Sequence, residues 1–423
     1  MRRLFSALIA VATVAPLAAA QTIAITGGRV FPVSGPPLDN ATVLIRDGKI
    51  VQVGTNVFVP ADARRIDASG KWVTPGLVDA QTQLALVDEP GNGDVVARGR
   101  NDALTPSFKV WEGINPRSVY IQPARQHGVT SVLVAPRPAG LVSGQGTMID
   151  LADGTLTDML LNGPAAMFGT FDSRPQNVAS RGELFARFRE LLEDTKIYAR
   201  RRADFDRNQS RPFIASRGDL EAMIPVVEGR QPIAIEANRA SDIEMALQIA
   251  REYSLKMMIV GAEEGWMVAP KLAAARIPVL IGAMSNIPTS FSTLGARQEN
   301  AGLLRAAGVS VALIGNGPGD EDSFNVRNIR QEAGNAIAYG LPWNDALRAV
   351  TLGPAEMFGV ADRVGSLQAG REANVVIWSA DPFEFSTVPE HVFVRGREST
   401  TPSRQDELER RYRTLPPNYN RPP

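Results

Sequence analysis

Between residues 75 and 360 short apolar runs alternate with helix-patterned stretches, and that alternation leaves few folds open. The runs are VTSVLVA at 129–135, IAIEA at 233–237, MMIV at 257–260, PVLI at 278–281 and VSVALI at 309–314. Between them, Ser241 and Glu244 have the spacing of a capping box. They are expected to open a helix that places Ile243, Leu247, Ala250 and Tyr253 on one face. Residues 300–307 read as a helix closed by Gly308, since glycine tolerates the left-handed backbone that ends helices. Residues 183–202 read as a long amphipathic helix through Leu184, Phe188, Leu191 and Leu192, and the Arg200-Arg201-Arg202 run that ends it is expected to be a solvated face. Apolar strands separated by helices indicate a parallel sheet covered by those helices. The length fits a (βα)8 TIM-type barrel, an α/β fold. Residues 87–117 and 137–158 are rich in Gly, Pro and polar side chains and are expected to be long loops, where barrels build their pockets.

Both ends of the chain read as β structure. Asp47-Gly48 lies between VLI at 43–45 and IVQV at 50–53, a strong hairpin signal. Residues 66–73 add a strand and turn, and 392–396 add a last strand. The expected division is a composite β-sandwich from 21–74 plus 361–398, a barrel over 75–360 and a flexible or loosely docked tail over 399–423. Residues 1–20 carry Arg2 and Arg3, an apolar stretch and then Ala18-Ala19-Ala20. That pattern predicts a secretory signal, hence a periplasmic or secreted protein; the export route stays open between the general and twin-arginine pathways. The apolar run falls short of the ~20 residues a membrane span needs.

Composition narrows the chemistry. Without Arg2 and Arg3 the chain has 43 basic and 45 acidic residues, a net charge near −2, which speaks against nucleic-acid binding. There is no cysteine, so disulfides, thiolate nucleophiles and thiolate metal ligands are excluded. There are two histidines, His127 and His391. His127 precedes Gly128 and is expected to cap a helix end; His391 is expected to be structural. No G-x-S-x-G elbow of a serine hydrolase occurs.

Two motifs carry a family resemblance. Residues 72–84 read WVTPGLVDAQTQL and residues 362–378 read DRVGSLQAGREANVVIW. The first resembles the V-x-P-G-L-I-D-x-H-x-H strand of the amidohydrolase superfamily, the second its D-R-x-G-S-L-x-x-G-x-x-A-D-L-V return segment. The match covers nearly all of the chain after residue 20 and points to the imidazolonepropionase-like, exported branch. It implies the barrel and composite β-sandwich inferred above. It also implies metal-assisted hydrolysis of C–N bonds, with zinc or another divalent metal activating water and a strand-eight aspartate moving protons.

The positions that the resemblance assigns to this chemistry differ here. The strand-one histidine pair reads Gln81 and Gln83. The V-H-A-H-R-A run of relatives reads Ile235-Glu236-Ala237-Asn238-Arg239-Ala240. The strand-six histidine falls near Gly261, and the catalytic aspartate corresponds to Asn316. The strand ends at Phe168 and Glu236 carry no lysine that could bridge metals after carboxylation. An amide is a weak oxygen donor and no base, so the expectation is no metal, no cofactor and no confident catalytic residue. Glu236 and Asn316 are the altered catalytic positions; Gln81, Gln83, Glu236, Asn238 and Asn316 are the candidate ligand-binding set.

Asp79, Glu236, Glu263 and Glu264 offer oxygen ligands to calcium or magnesium, although acids at 263–264 also suit a helix start. Gly315-Asn316-Gly317-Pro318-Gly319 and Ser143-Gly144-Gln145-Gly146 offer backbone N–H groups to anions, with plain strand-to-helix turns as the simpler reading. The expected function is a non-catalytic paralogue that pairs, as a homo- or hetero-oligomer, with an active amidohydrolase. The alternatives are a hydrolase of non-peptide or dipeptide C–N bonds with an atypical site, and a small-ligand binding protein.

Overall fold

The computed structural model describes residues 22–86, 88, 104–138, 140–172, 178–207, 209–284, 287–315 and 325–413. One sheet draws on both ends of the chain. It contains β1 (Ile23–Val30), β2 (Leu38–Arg46), β3 (Lys49–Gly54), β4 (Arg64–Asp67) and β5 (Trp72–Pro75), then β14 (Val375–Trp378), β15 (Pro389–Val394) and β16 (Arg397–Glu398). The order is β16-β15-β14-β5-β1-β2-β3, with β4 on β1. β5 and β14 pair antiparallel from Trp72–Trp378 to Pro75–Val375, so the two motifs lie side by side. The hairpin predicted at Asp47-Gly48 is present; both residues take positive φ, 54° and 75°, as a type I′ turn demands.

The second sheet forms the nearly closed barrel. Its strands are β6 (Leu77–Thr82), β7 (Val129–Val134), β8 (Gly144–Asp150), β9 (Leu160–Thr170), β10 (Ile233–Ala237), β11 (Met257–Gly261), β12 (Val279–Ile281) and β13 (Val311–Leu313), hydrogen-bonded in chain order. The five apolar runs read from sequence all become strands. The stretch 137–158 does not become a loop. It contains β8, which runs antiparallel to β7 and β9 and is buried along its whole length. Its glycines and polar residues hid it: Gly146 lies against Phe168 and the Val134 carbonyl, where a side chain would not fit. Ser143 to Gly146 therefore lead into a paired strand, and the Gln145 N–H goes to the Phe108 carbonyl. The 87–117 stretch falls partly outside the described residues.

Alternation along each strand sorts the apolar side chains into two layers. Val78, Leu133, Met148, Phe168, Ala234, Met258, Leu280 and Ala312 pack together inside the barrel. Leu77, Val132, Ile149, Met167, Ile235, Ile259, Val279 and Leu313 pack outward with helix residues such as Leu184, Phe188, Ile243, Leu272 and Leu304. Full burial of each such side chain stabilises by roughly 1.5–3 kcal/mol.

The long helix is Arg181–Arg200, two residues earlier than predicted, because Ser180 caps it by accepting from Glu183 N at 3.2 Å. Arg202, beyond its end, makes an exposed pair with Glu221. The helix at Asn300–Ala306 stops where Gly308 takes φ +92°. The Ser241 capping box does not form. The helix Ala240–Tyr253 begins a residue earlier, and the Glu264 carboxylate, reaching in from beyond β11, accepts from Ala240 N at 2.9 Å. In the expected tail, Ser403 and Asp406 form a capping box that opens a helix at Arg404–Tyr412. Asp406 also accepts from Gln126 at 2.7 Å.

Two joints fix the sheets to each other. Trp378 of β14 donates to Thr74 at 2.8 Å and lies over Gly128, whose φ of +86° and contact with the indole both require glycine. The second joint is polar. Asp150 of β8, fully buried, accepts from Ser131 at 2.6 Å, Asn374 at 2.9 Å and Arg395 Nε at 2.8 Å. Removing one partner of a buried pair leaves a charge without compensation. Arg395→Ala is therefore expected to lower unfolding free energy by about 3 kcal/mol in urea melts, whereas Arg413→Ala, at an exposed i,i+4 pair, leaves it within ~0.5 kcal/mol.

Candidate active site at the barrel mouth

Asp79 lies in β6 and is fully buried. Its carboxyl accepts from Gln81 N at 3.0 Å and from Gly315 N, just beyond β13, at 3.3–3.4 Å. Burial pushes its pKa up to about 8; the two N–H groups oppose that shift, and the nearby Glu332 carboxylate adds to it. Glu332 itself, buried on the helix Ile329–Ala338, accepts from Ala283 N and Met284 N, both at 2.7 Å. Gln81 ends β6 half-buried, and its Oε1 has no hydrogen-bond partner. Gln83 follows it, buried.

The ends of β9, β10 and β11 bring a second group together. Glu236 is paired with Thr170 in the β9–β10 register and takes a hydrogen bond from the Thr170 side chain. Burial raises its pKa despite that bond, and Asp172 reinforces the shift. Asp172 N donates to Thr170 Oγ1 at 3.0 Å, and Asn238 Nδ2 donates to Asp172 Oδ2 at 3.3 Å. Glu263, just past β11, is pushed up to about 7, first by burial and then by Asp172, Glu236 and Glu264. A group near 7 exchanges protons readily at neutral pH.

Gly261 has φ +82°, and a Cβ built there would overlap Asn238 Oδ1. A side chain at this position would have to displace the Asn238 amide and adopt a left-handed backbone that L residues rarely take. Glu264 does not point to a free ligand position: it holds Ala240 N and Gly295 N, both at 2.9 Å. Of the four acids considered as an oxygen cage, Asp79 and Glu264 are thus bound to backbone N–H groups, while Glu236 and Glu263 share the mouth. Asn316, and with it the 316–319 glycine turn, lies outside the described residues. His127 caps the helix Ile121–Gln126, with Nδ1 at 2.8 Å from the Pro123 carbonyl. His391 sits in β15, 2.6 Å from Glu398. Neither belongs to the mouth.

Asp172 and Glu332 were missed in the sequence. Asp172 follows a strand with no motif around it, and only the β9–β10 register shows that it reaches Asn238. Glu332 looks like any helix acid until the β12 end is seen against it.

With this geometry in place, comparison with known proteins gives the family. The amidohydrolase family model matches residues 72–398, and the chain belongs to that family. It is 24% identical over 391 residues to the amidohydrolase tasK of Hapsidospora irregularis, covering 84% of this chain and 39% of that protein, so the chain spans well under half of that relative's length. It is 24% identical over 375 residues to the imidazolonepropionase of Acidiphilium cryptum, covering 82% of this chain and 89% of that one. The crystal structure of an amidohydrolase from Thermotoga maritima superposes with a TM-score of 0.80 at 28% identity, covering 89% of this chain and 99% of the other.

The zinc or other divalent metal that the family resemblance implies can be tested against the donors present. Zinc favours imidazole nitrogen and thiolate in a tight tetrahedron. The positions that the resemblance assigns to imidazole offer, among the described residues, the amide oxygens of Gln81, Gln83 and Asn238, the Glu236 carboxyl, and a glycine at 261. Among the described residues no group of three or more His, Cys, Asp or Glu is placed to hold a metal ion. These residues do not fit zinc.

Asp79 generates a pH prediction. Its folded pKa, about 8, lies above the ordinary 3.8, so the folded state holds a proton that the unfolded chain releases first. Stability from this group is full below about pH 4 and declines as pH rises towards about 8. Asp79→Asn keeps an acceptor for the two N–H groups and removes the titration. The difference in melting temperature, variant minus wild type, is expected to grow by several degrees between pH 5 and pH 8.5.

Proposed function

We propose that this chain is an exported amidohydrolase-family protein that does not perform metal-assisted hydrolysis and serves as the non-catalytic partner of an active relative. One observation carries this reading. The positions where the family resemblance calls for imidazole hold Gln81, Gln83, Glu236, Asn238 and Gly261, and both histidines of the chain are engaged elsewhere. The frame around them is retained, including the β5–β14 pairing and the packed barrel interior. A barrel can keep an interface without its chemistry.

The surface supports pairing. Met284, Ile287, Phe291 and Leu294 stand exposed on the segment after β12, and Met267, also exposed, reaches Gly295 on the same segment. Clustered apolar side chains of this kind mark protein contact surfaces. Elemental analysis of protein purified without chelator is expected to find transition metal far below one per chain. Expression of a tagged chain in its native host is expected to bring down a full-length amidohydrolase in a fixed ratio, and Phe291→Asp to release it. A stoichiometric transition metal, or a monomer that never co-purifies with a related barrel, defeats the proposal.

A second reading has its own support in Glu236 and Glu263, two carboxyl groups at neighbouring strand ends whose pKa burial raises, that of Glu263 to about 7. Such a pair suits general acid–base cleavage of a C–N bond without metal. Its mark is amide or dipeptide hydrolysis that resists chelators and disappears in Glu236→Gln.

A further inference from the structure

We infer that the end of the barrel opposite the mouth carries a second site, a basic groove that binds a small anion with two or more carboxylate or phosphate groups, held first by Lys256 and Arg276. It does not depend on what the mouth does.

The groove follows from how the chain enters its strands. β10, β11 and β12 run side by side in parallel, with Ile233 beside Met257 and Ile259 beside Val279. The turn into each brings a basic residue to the same end of the barrel. Arg230 follows the helix Arg217–Val227, Lys256 follows the helix Ala240–Tyr253, and Arg276 ends the helix Ala269–Ala275. Arg305 and Arg348, each in the last turn of its helix, continue the row towards β13. These five side chains line two adjoining cavities. The larger, about 630 Å³, has Arg230, Lys256 and Arg276; the smaller, about 460 Å³, has Arg276, Arg305 and Arg348. Arg276, Pro278, Glu356 and Met357 belong to both, so the two form one groove with Arg276 at its middle. Each has the volume of a small-molecule site, roughly 300–1,000 Å³.

Charge selects the occupant. The groove has five basic and two acidic lining residues, in a chain whose 45 basic and 45 acidic residues otherwise balance. Both acids are engaged: Asp345 pairs with Arg305 at 2.8 Å and Glu356 with Arg348. Arg230 pairs with Glu228. Lys256 and Arg276 remain. Both are exposed, and among the described residues neither side chain has an ion pair or a hydrogen bond. Two free cations on neighbouring turns repel each other across a concave surface, and an anion between them removes that repulsion.

A plainer explanation covers only part of this. Helix C-terminal ends favour cations through the helix dipole, which accounts for each basic residue taken singly. It does not account for Arg276. That residue takes φ +53°, the left-handed conformation that glycine adopts freely at a helix end and other residues resist. A guanidinium is kept where glycine would end the helix at lower cost. Its planar fork suits carboxylate or phosphate oxygens in pairs, and the lysine beside it adds a compact charge. A ligand with two anionic groups engages both, whereas a monoanion leaves one cation without a partner.

The test is isothermal titration and thermal shift of the purified protein with tricarballylate, inorganic pyrophosphate and acetate at matched ionic strength. One or both polyanions are expected to bind saturably at one per chain, to bind more weakly as salt rises, and to raise the melting temperature. Binding of tricarballylate alone identifies the ligand as a carboxylate, and binding of pyrophosphate alone as a phosphate. Lys256→Gln and Arg276→Gly are each expected to weaken binding by about tenfold. Without ligand, Arg276→Gly is expected to melt no lower than wild type, because glycine suits that helix end. Arg413→Ala, at a residue that lines neither cavity, is expected to leave the affinity unchanged. Failure of both polyanions to bind overturns the inference, as does equal binding of acetate, unchanged affinity in both groove variants, or an equal loss in Arg413→Ala. A stoichiometric metal or a missing partner, either of which defeats the function proposed above, leaves this inference standing.

Discussion

The barrel depends on closing its sheet between β6 and β13, two strands that share no ladder of hydrogen bonds. Two hydrogen bonds hold β6 at this seam, one to the end of the helix Trp343–Ala349 and one to the backbone beyond β13. Val78 N donates to the Val350 carbonyl at 2.8 Å, and the Asp79 carboxyl joins β6 to the backbone beyond β13 through Gly315 N. A neutral carboxyl suits that place because a charge there would be stripped of water on every side. The same buried acid sets the backbone of Gln81 through its N–H. One side chain thus seals the barrel and fixes the first strand's approach to the mouth.

Below that seam the molecule is built to ordinary rules. Small and large apolar residues fill the interior, and Trp378 and Asp150 tie the barrel to the composite sheet, one by packing and one by a satisfied polar network. Above it the rules change. Among the described residues, the buried amide oxygens of Gln81 and Asn238 have no hydrogen-bond partner, and Gly261 and Ala262 take left-handed backbone conformations. Local inconsistency of this kind, inside a frame that is otherwise consistent, is where function is expected.

The frame was legible in the sequence because it is periodic. Apolar runs named five of the eight barrel strands, Asp47-Gly48 named a hairpin, and Gly308 named a helix end. What escaped notice depends on partners remote in the chain. β8 reads as a loop in the sequence because a strand hemmed in by Phe168 and Phe108 needs glycine more than it needs valine. The cap of the helix Ala240–Tyr253 comes from Glu264, and no local pattern announces a carboxylate arriving from the next strand. The mouth was half legible. Gln81, Gln83, Glu236 and Asn238 stood out by resemblance alone, whereas Asp172 became visible only when the β9–β10 register placed it beside Asn238.

The pairing of Asn238 with Gly261 has a consequence for how this barrel can change. Introducing a side chain at 261 meets the Asn238 amide and, independently, a left-handed backbone that a branched Cα resists. Shortening residue 238 removes the first obstacle and strips Asp172 of its amide hydrogen bond. The two positions are therefore coupled: a change at one alters what the other can hold. A mutational walk from this chain towards an imidazole-lined mouth has to treat these two neighbouring strand ends as a unit.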